Sequence, residues 1–338
     1  MEANVKHKTM KAAIKAVATY LPEHIIYNHQ IEERIHNNTI MKGNNMLERL
    51  FGSKTRRFAS EEMQVSDLAC AAAKKIIHAN TDATIDLLIF AAASSDLIEP
   101  ATANIVQHKL GLACPVMDVK NACNSFVSAI HVGSAFIESG IYNNVLIACG
   151  EKLSEVINYS PMSDAHLNRC ISAFTLGDAG AAMLLGKSDR GKIVYQNFNS
   201  FGAHWDLCTV MGGGSLAYRN FDKYYFECDS KALRSIFQEK TGEVIFNALR
   251  ETGWNINEIA CIIPHQISSG TTSIVSKGLA LPEDRFINIF SKYGNVAAAT
   301  IPLALHEAIT GGRLKTGEKL MLLGMAAGIS LSVQLIEW

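Results

Sequence analysis

The chain has 338 residues, 48% of them hydrophobic and 19% charged, which supplies apolar surface for one large core or two fused ones and excludes a disordered chain. Thirty-one Lys and Arg stand against 32 Asp and Glu, so no overall field draws the protein to nucleic acid or to an anionic membrane, and an anionic substrate must be met locally. There is no apolar leader and no run long enough to span a bilayer, a pattern that predicts a soluble, cytoplasmic protein.

Short runs rich in leucine and β-branched residues at 12–19, 85–93, Val116–Val119, 144–149 and 179–185 predict strands. Helical periodicity at Val65–Ala79 and 126–139 falls between them, and the alternation is that of an α/β protein. After a turn at Asp189-Arg190-Gly191 a similar layout is stated again. Strands are expected at 192–197, Ile259–Pro264, 319–323 and Ser330–Glu337, and helices around 240–252, 273–279 and 301–310. This places a boundary near residue 188 and predicts two halves, 1–188 and 189–338. Met211 to Gly214, with three consecutive glycines, reads as a bent or flexible loop. The polar segment 31–55, rich in Asn, Lys and Arg, is either a plain surface loop or the rim of a binding site. Eight cysteines contain no CxxC pair and most lie in apolar stretches, so they read as small buried side chains, and no zinc site is expected.

Asp118 to Phe126 joins a strand to a helix, which puts Cys123 at or just before the helix N-terminus. Unpaired backbone N–H groups and the helix dipole favour a thiolate there, lowering a thiol pKa by about one to several units in a partly open site. A single cysteine is more often buried filler than nucleophile, so the rest of the chain has to decide. The run Ile262-Ile263-Pro264-His265-Gln266 presents His265 just beyond a buried strand, where α/β folds place function. An imidazole there can donate to a developing enolate or move a proton. Lys292 to Thr300 presents Asn295 at the start of an Ala-rich helix, where it suits either an N-cap or an amide donor to a carbonyl oxygen that gathers charge. Leu323 to Ser330 is a turn of small residues between apolar strands. It reads equally as a tight hairpin or as a source of backbone N–H groups for an oxyanion hole shared with Cys123.

Taken in this order, the segments resemble the ketosynthase III branch of the thiolase superfamily over nearly the whole chain. Asn121 to Phe126 is similar to that family's nucleophile segment. Pro264-His265-Gln266 and Tyr293 to Ala299 are similar to its His and Asn segments, with His265 and Asn295 thirty positions apart. Gly177 to Ala182 resembles its glycine-rich strand lead, and 101–111 the stretch ending in Lys109-Leu110-Gly111. The resemblance implies a thiolase fold of duplicated α/β halves in five αβαβα layers, working as a homodimer. It implies that Cys123 takes an acyl group from an acyl-CoA or acyl carrier protein thioester. His265 and Asn295 would stabilise the enolate of a second thioester, and the N–H groups of Cys123 and Ala327 would hold the tetrahedral oxyanion. It implies no metal and no cofactor beyond the thioester's own pantetheine.

Departures from the family pattern bear on the substrate. Where initiating enzymes that use CoA carry Trp and Arg, this chain has Met46 and Leu50. Arg49, Arg56, Arg57 and Arg169 remain either to meet phosphates or an acidic carrier, or to serve as solvated surface arginines. Ser268 stands where the family's Asn helps hold the pantetheine arm. Glu99, just before Pro100, falls where initiating enzymes place an aromatic residue that reaches the partner subunit's acyl pocket. Relatives that join two acyl chains are similar in carrying a Glu near this position, and a carboxylate with a pKa raised by burial could remove an α-proton from the second chain. The other reading is a surface Glu before a turn proline, with Asp96 as a second contender. The resemblance thus admits a chain-joining enzyme, an initiating ketosynthase using a short acyl-CoA and malonyl carrier protein, or a non-catalytic partner subunit. Intact Cys123, His265 and Asn295 count against the last.

Overall fold

The computed structural model describes residues 11–36 and 45–338; within the polar segment 31–55, residues 37–44 lie outside the described residues. The first half contains β1 (Ala12–Tyr20), α1 (Val65–Ala79), β2 (Leu87–Ala91), α2 (Thr102–Leu110), β3 (Val116–Val119), α3 (Ser125–Glu138), β4 (Val145–Lys152) and β5 (Asp178–Lys187). Its strands lie in the order β3-β2-β4-β5-β1, with β2 parallel to both neighbours and the other pairs antiparallel. The second half contains β6 (Lys192–Ser200), the short strands β7 (Cys208–Thr209) and β8 (Glu227–Cys228), α4 (Ser230–Thr252), β9 (Ile259–Pro264), α5 (Gly270–Leu279), α6 (Thr300–Thr310), β10 (Lys319–Ala326) and β11 (Ser330–Glu337). Here the order is β9-β10-β11-β6, parallel for the first pair and antiparallel for the rest. A parallel bridge from Ile262 to Phe286 occupies the outer position that β3 fills in the first half. The same order of strands and the same directions therefore occur twice, and the two sheets join at a single antiparallel pair, Ala13 with Lys192.

Side-chain alternation builds the layers. On β10, Leu320 and Leu322 enter the core shared with α3 and α6, whereas Met321, Leu323 and Met325 enter the core beneath α4. With both faces covered, such strands read as nearly unbroken apolar runs, which is why they were conspicuous in the sequence. Helices α1 and α2 cover the outer face of the first sheet, α3 and α6 lie between the sheets, and α4 and α5 cover the second sheet, giving five layers. The outer helix α1 lies so close to its sheet that a Cβ on Gly150 or Gly180 would collide with the carbonyl oxygens of Val65 or Leu68.

Two expectations need correction. Helix α4 begins ten residues before the segment expected around 240–252, because Asp229 accepts a hydrogen bond from Ala232 N–H (3.0 Å) and caps a polar first turn. Cys70, Cys149, Cys170 and Cys261 are buried as expected, but Cys208 and Cys228 face each other across the β7–β8 ladder and are joined as a disulfide. Among the described residues no cluster of three His, Cys, Asp or Glu side chains is placed to hold a metal ion, and no helix is long and apolar enough to cross a membrane.

Candidate active site

Cys123 lies in a tight turn two residues before α3. Ala122 ahead of it adopts a left-handed φ of 45°, a strained conformation for a residue with a Cβ, and the turn is fixed from several sides. Ser125 Oγ accepts from Asn121 N–H (2.8 Å) and donates to the Ala122 carbonyl (2.7 Å). Asn124, fully buried, donates to the Ser330 carbonyl (3.1 Å) and hydroxyl (2.9 Å), tying the turn to the hairpin between β10 and β11. Gly324 is required there, since a Cβ would strike Asn124 Oδ1 and Ser332 Oγ.

His265 emerges from the end of β9, with its N–H bonded to the Leu323 carbonyl (2.8 Å). The ring is buried, and among the described residues neither nitrogen has a hydrogen-bond partner. Burial lowers its pKa to about 4, so the imidazole is neutral throughout the physiological range. Gln266 beside it joins the His and Asn segments: its amide donates to the Ile287 carbonyl (2.8 Å), and its oxygen accepts from the N–H groups of Ile289 (2.9 Å) and Phe290 (3.1 Å). Asn295 is clasped by the first half through Asn295 N–H to the Thr175 carbonyl (2.9 Å) and Gly177 N–H to the Asn295 carbonyl (3.0 Å). Its Oδ1 accepts from Ala297 N–H (3.0 Å), which leaves the amide hydrogens available to a ligand.

Beneath these residues Glu151, fully buried, accepts four hydrogen bonds. One oxygen takes Ala93 N–H (2.8 Å) and Ala298 N–H (3.2 Å), and the other takes Ser94 N–H (3.1 Å) and Ser94 Oγ–H (2.7 Å). The same carboxylate acts on the nucleophile. Burial pushes the Cys123 thiol up to about 12, and Glu151 adds to the rise. A backbone N–H acts in the opposite direction, as expected beside a helix N-terminus, but it is outweighed by burial and by the negative Glu151, and a neutral His265 supplies no compensating cation.

Cys123, His265 and Asn295 line one cavity of about 790 Å³ together with Ser268 and Ala327. A second, mostly apolar cavity of about 330 Å³ opens between α4 and α5 and shares His265, Ile267 and Ser268 with the first. The expected arginines do not reach these walls. Arg49 is exposed on the helix Met46–Phe51, of which Phe51 lines the cavity. Arg56 is fully buried and bonded to Asn28 Oδ1 (2.8 Å) and Ser53 Oγ (2.9 Å), an internal strut rather than a phosphate contact. Arg57 donates to the carbonyls of Pro22 and Glu23 (3.1 Å each), and Arg169 is paired with Glu227 (2.9 Å). The cations that line the large cavity are instead Lys120, Lys152 and Arg234, none of which the sequence singled out. Glu99 is exposed and outside its own chain's cavity, although the adjacent Ile98 lines it, and Asp96 is occupied by Ser66 N–H (2.9 Å).

A neutral His265 gives a direct expectation for pH. With Cys123 already acylated, the rate of the second half-reaction should stay within about twofold between pH 5.5 and 8, measured by single-turnover quench. An inflection near 6.5 would show an imidazole that titrates normally.

Residues 117–202 match the family described as 3-Oxoacyl-[acyl-carrier-protein (ACP)] synthase III, and residues 249–338 match its C-terminal counterpart. Among curated proteins the chain is similar to the beta-ketoacyl-[acyl-carrier-protein] synthase III of Clostridioides difficile, with 32% identity over 97% of this chain and 98% of that one. The enzyme of the same name from Neisseria meningitidis is 28% identical, over 97% and 99%. Among solved structures, Xanthomonas campestris OleA with bound lauric acid and lauroyl-CoA superposes with a TM-score of 0.88 at 26% identity, covering 98% of this chain and all of that one. The Aquifex aeolicus 3-oxoacyl-[acyl-carrier-protein] synthase III gives 0.83 at 26% identity, over 97% and 100%.

Proposed function

The chain belongs to the beta-ketoacyl-[acyl-carrier-protein] synthase III family, carbon–carbon bond-forming acyltransferases of thiolase fold, and from this we propose that Cys123 carries the acyl group while His265 and Asn295 serve the condensation. The supporting observation is His265: two ring nitrogens are buried without a partner at the wall of the cavity that Cys123 lines. Unpaired buried polar atoms cost free energy, and a substrate oxygen placed there would satisfy one of them.

Cys123 Sγ attacks the thioester carbonyl of an acyl-CoA or acyl carrier protein. Because the thiol resists ionisation, its proton leaves during the attack and departs with the pantetheine thiol rather than being lost beforehand. Donors from Cys123 N–H and Ala327 N–H hold the oxyanion. The second thioester then places its carbonyl oxygen against the neutral imidazole N–H of His265 and the amide of Asn295, which stabilise the enolate formed as its malonyl unit loses CO2; the enolate carbon bonds to the acyl carbonyl carbon, the bond to Cys123 Sγ breaks, and the released thiolate takes up a proton. Ser268, at the junction of the two cavities, holds the pantetheine arm. We assign Cys123 to a half spanning 1–188 and His265 and Asn295 to a half spanning 189–338. The protein functions as a cytoplasmic homodimer with no cofactor beyond pantetheine.

A second reading, the joining of two acyl chains, is favoured by the 790 Å³ cavity and by likeness to OleA, one structure of which holds lauric acid and lauroyl-CoA. In the OleA structures with a substituted cysteine or histidine, those two residues stand as far apart in sequence as Cys123 and His265. The glutamate substituted in another stands two residues further from the cysteine than Glu99 does. In this reading Glu99 enters the partner subunit's site and removes the α-proton of the second chain. The test is product analysis with malonyl-carrier and with a second acyl thioester. Glu99→Gln should cut chain joining by about 100-fold and leave acylation unchanged. Equal products from Glu99→Gln and wild type would assign the protein to initiation with a malonyl unit.

A further inference from the structure

The second cavity, of about 330 Å³, shares His265 and Ser268 with the larger one but is not lined by Cys123. Its walls are apolar: Phe237 and Ile245 of α4, Ile274, Val275 and Leu279 of α5, and Met325 of β10. Each helix also contributes a glycine to the lining, Gly242 from α4 and Gly278 from α5. Neither has a positive φ, and a Cβ on either would meet nothing within 4 Å. Glycine inside a helix is destabilising relative to alanine, and here neither backbone conformation nor a close neighbour requires it, so what the two glycines provide is room. Thr241, one position before Gly242, lines the same cavity and is only 9% exposed, and its Oγ1 has no hydrogen-bond partner among the described residues. Thr252 and Thr310 meet that need within their own helices by donating to the carbonyls four residues back, Ala248 and His306 (2.8 Å each), whereas Thr241 makes no such bond to Phe237. The other hydroxyls of this wall, Ser268 and Thr271, lie 3.4 Å from each other.

We propose that this cavity receives the acyl tail of the second thioester and that Thr241 selects a tail carrying a hydroxyl group. The proposal rests on the reading in which two acyl chains are joined: with the second thioester's carbonyl at His265, the adjoining cavity is open to the tail beyond it. The pantetheine arm, with its two amides, suits the larger cavity, whose wall carries Lys120, Lys152 and Ser230. An alkyl tail suits the apolar walls of the smaller one. A plain tail filling that space leaves Thr241 Oγ1 without a partner, whereas a hydroxyl on the tail pairs with it, and a buried polar group that only one of two ligands can satisfy is a strong discriminator.

The test is calorimetric binding to the full-length Cys123→Ala protein, so that no acyl transfer to that position intervenes. The probes are dodecanoyl-CoA and its monohydroxy derivatives, with the hydroxyl at each carbon in turn. At least one hydroxy derivative should bind about tenfold more tightly than the plain chain, and adding Thr241→Val, which keeps the shape and removes the hydroxyl, should bring that ratio to about one. Gly242→Leu, which places a side chain where a Cβ meets open space, should also remove the preference. Thr241→Val removes a buried hydroxyl that has no partner, so the fold is not at risk. Equal binding of plain and hydroxylated chains at every position, or a preference that survives Thr241→Val, would overturn the proposal. Loss of affinity for free CoA in Thr241→Val would overturn it as well, by placing the pantetheine arm in this cavity. Failure of the wild-type protein to join two acyl chains would sink the chain-joining reading instead, and the binding ratio would still be measurable.

Discussion

His265→Ala is expected to slow condensation by about 1,000-fold while leaving acylation of Cys123 within about threefold of wild type. The asymmetry follows from the protonation state. A histidine that activated the thiol would have to accept its proton, yet burial keeps the pKa of His265 at about 4, well below that of the thiol at about 12. A neutral imidazole is useful as a donor to the enolate oxygen, which exists only in the second half-reaction. Folding should not suffer, because the substitution removes two buried nitrogens that have no partner. Separate single-turnover measurements of acylation and of product formation distinguish the cases. A parallel fall in both rates would make His265 a base for Cys123.

Glu151→Gln should lower the unfolding free energy by about 3 kcal/mol, read from urea titrations with an unchanged slope. The carboxylate accepts four donors, and an amide keeps one accepting oxygen while turning an NH2 group toward two of them. Those donors belong to the segment after β2 and the segment after Asn295, so the two halves lose a shared tie. The second readout is specific to chemistry. Since Glu151 helps hold the Cys123 thiol above its ordinary pKa, the variant should be alkylated by iodoacetamide faster than wild type at pH 8. A stability loss below about 0.5 kcal/mol with unchanged alkylation would mean that Glu151 neither braces the site nor acts on the nucleophile.

Much of this was legible in the sequence because the signals are local. Cys123, His265 and Asn295 each sit where a strand or turn meets the next element, and the buried strands advertise themselves as apolar runs. A repeated α/β layout could be anticipated from the repeated alternation, but not the order of the strands within each sheet. Glu151 could not: it follows an apolar strand and looks like the polar exit of that strand, while its partners lie at 93, 94 and 298. The sequence leaves Arg56 either to meet a phosphate or an acidic carrier or to be a solvated surface arginine, and only the fold brings Asn28 and Ser53 around it. Arg234 lies on the exposed face of a helix whose first turns carry no strong apolar pattern, so nothing in the chain marks it as a cavity residue. The disulfide joins cysteines twenty positions apart, a spacing with no motif.

Intact mass after incubation with a panel of acyl-CoA and acyl carrier thioesters tests the central claim most directly, with wild type and Cys123→Ala in parallel. A single acyl group gained by wild type, mapped to Cys123 and absent from Cys123→Ala, is the predicted result. Acylation that persists without Cys123, or a wild type that no thioester modifies, would contradict it.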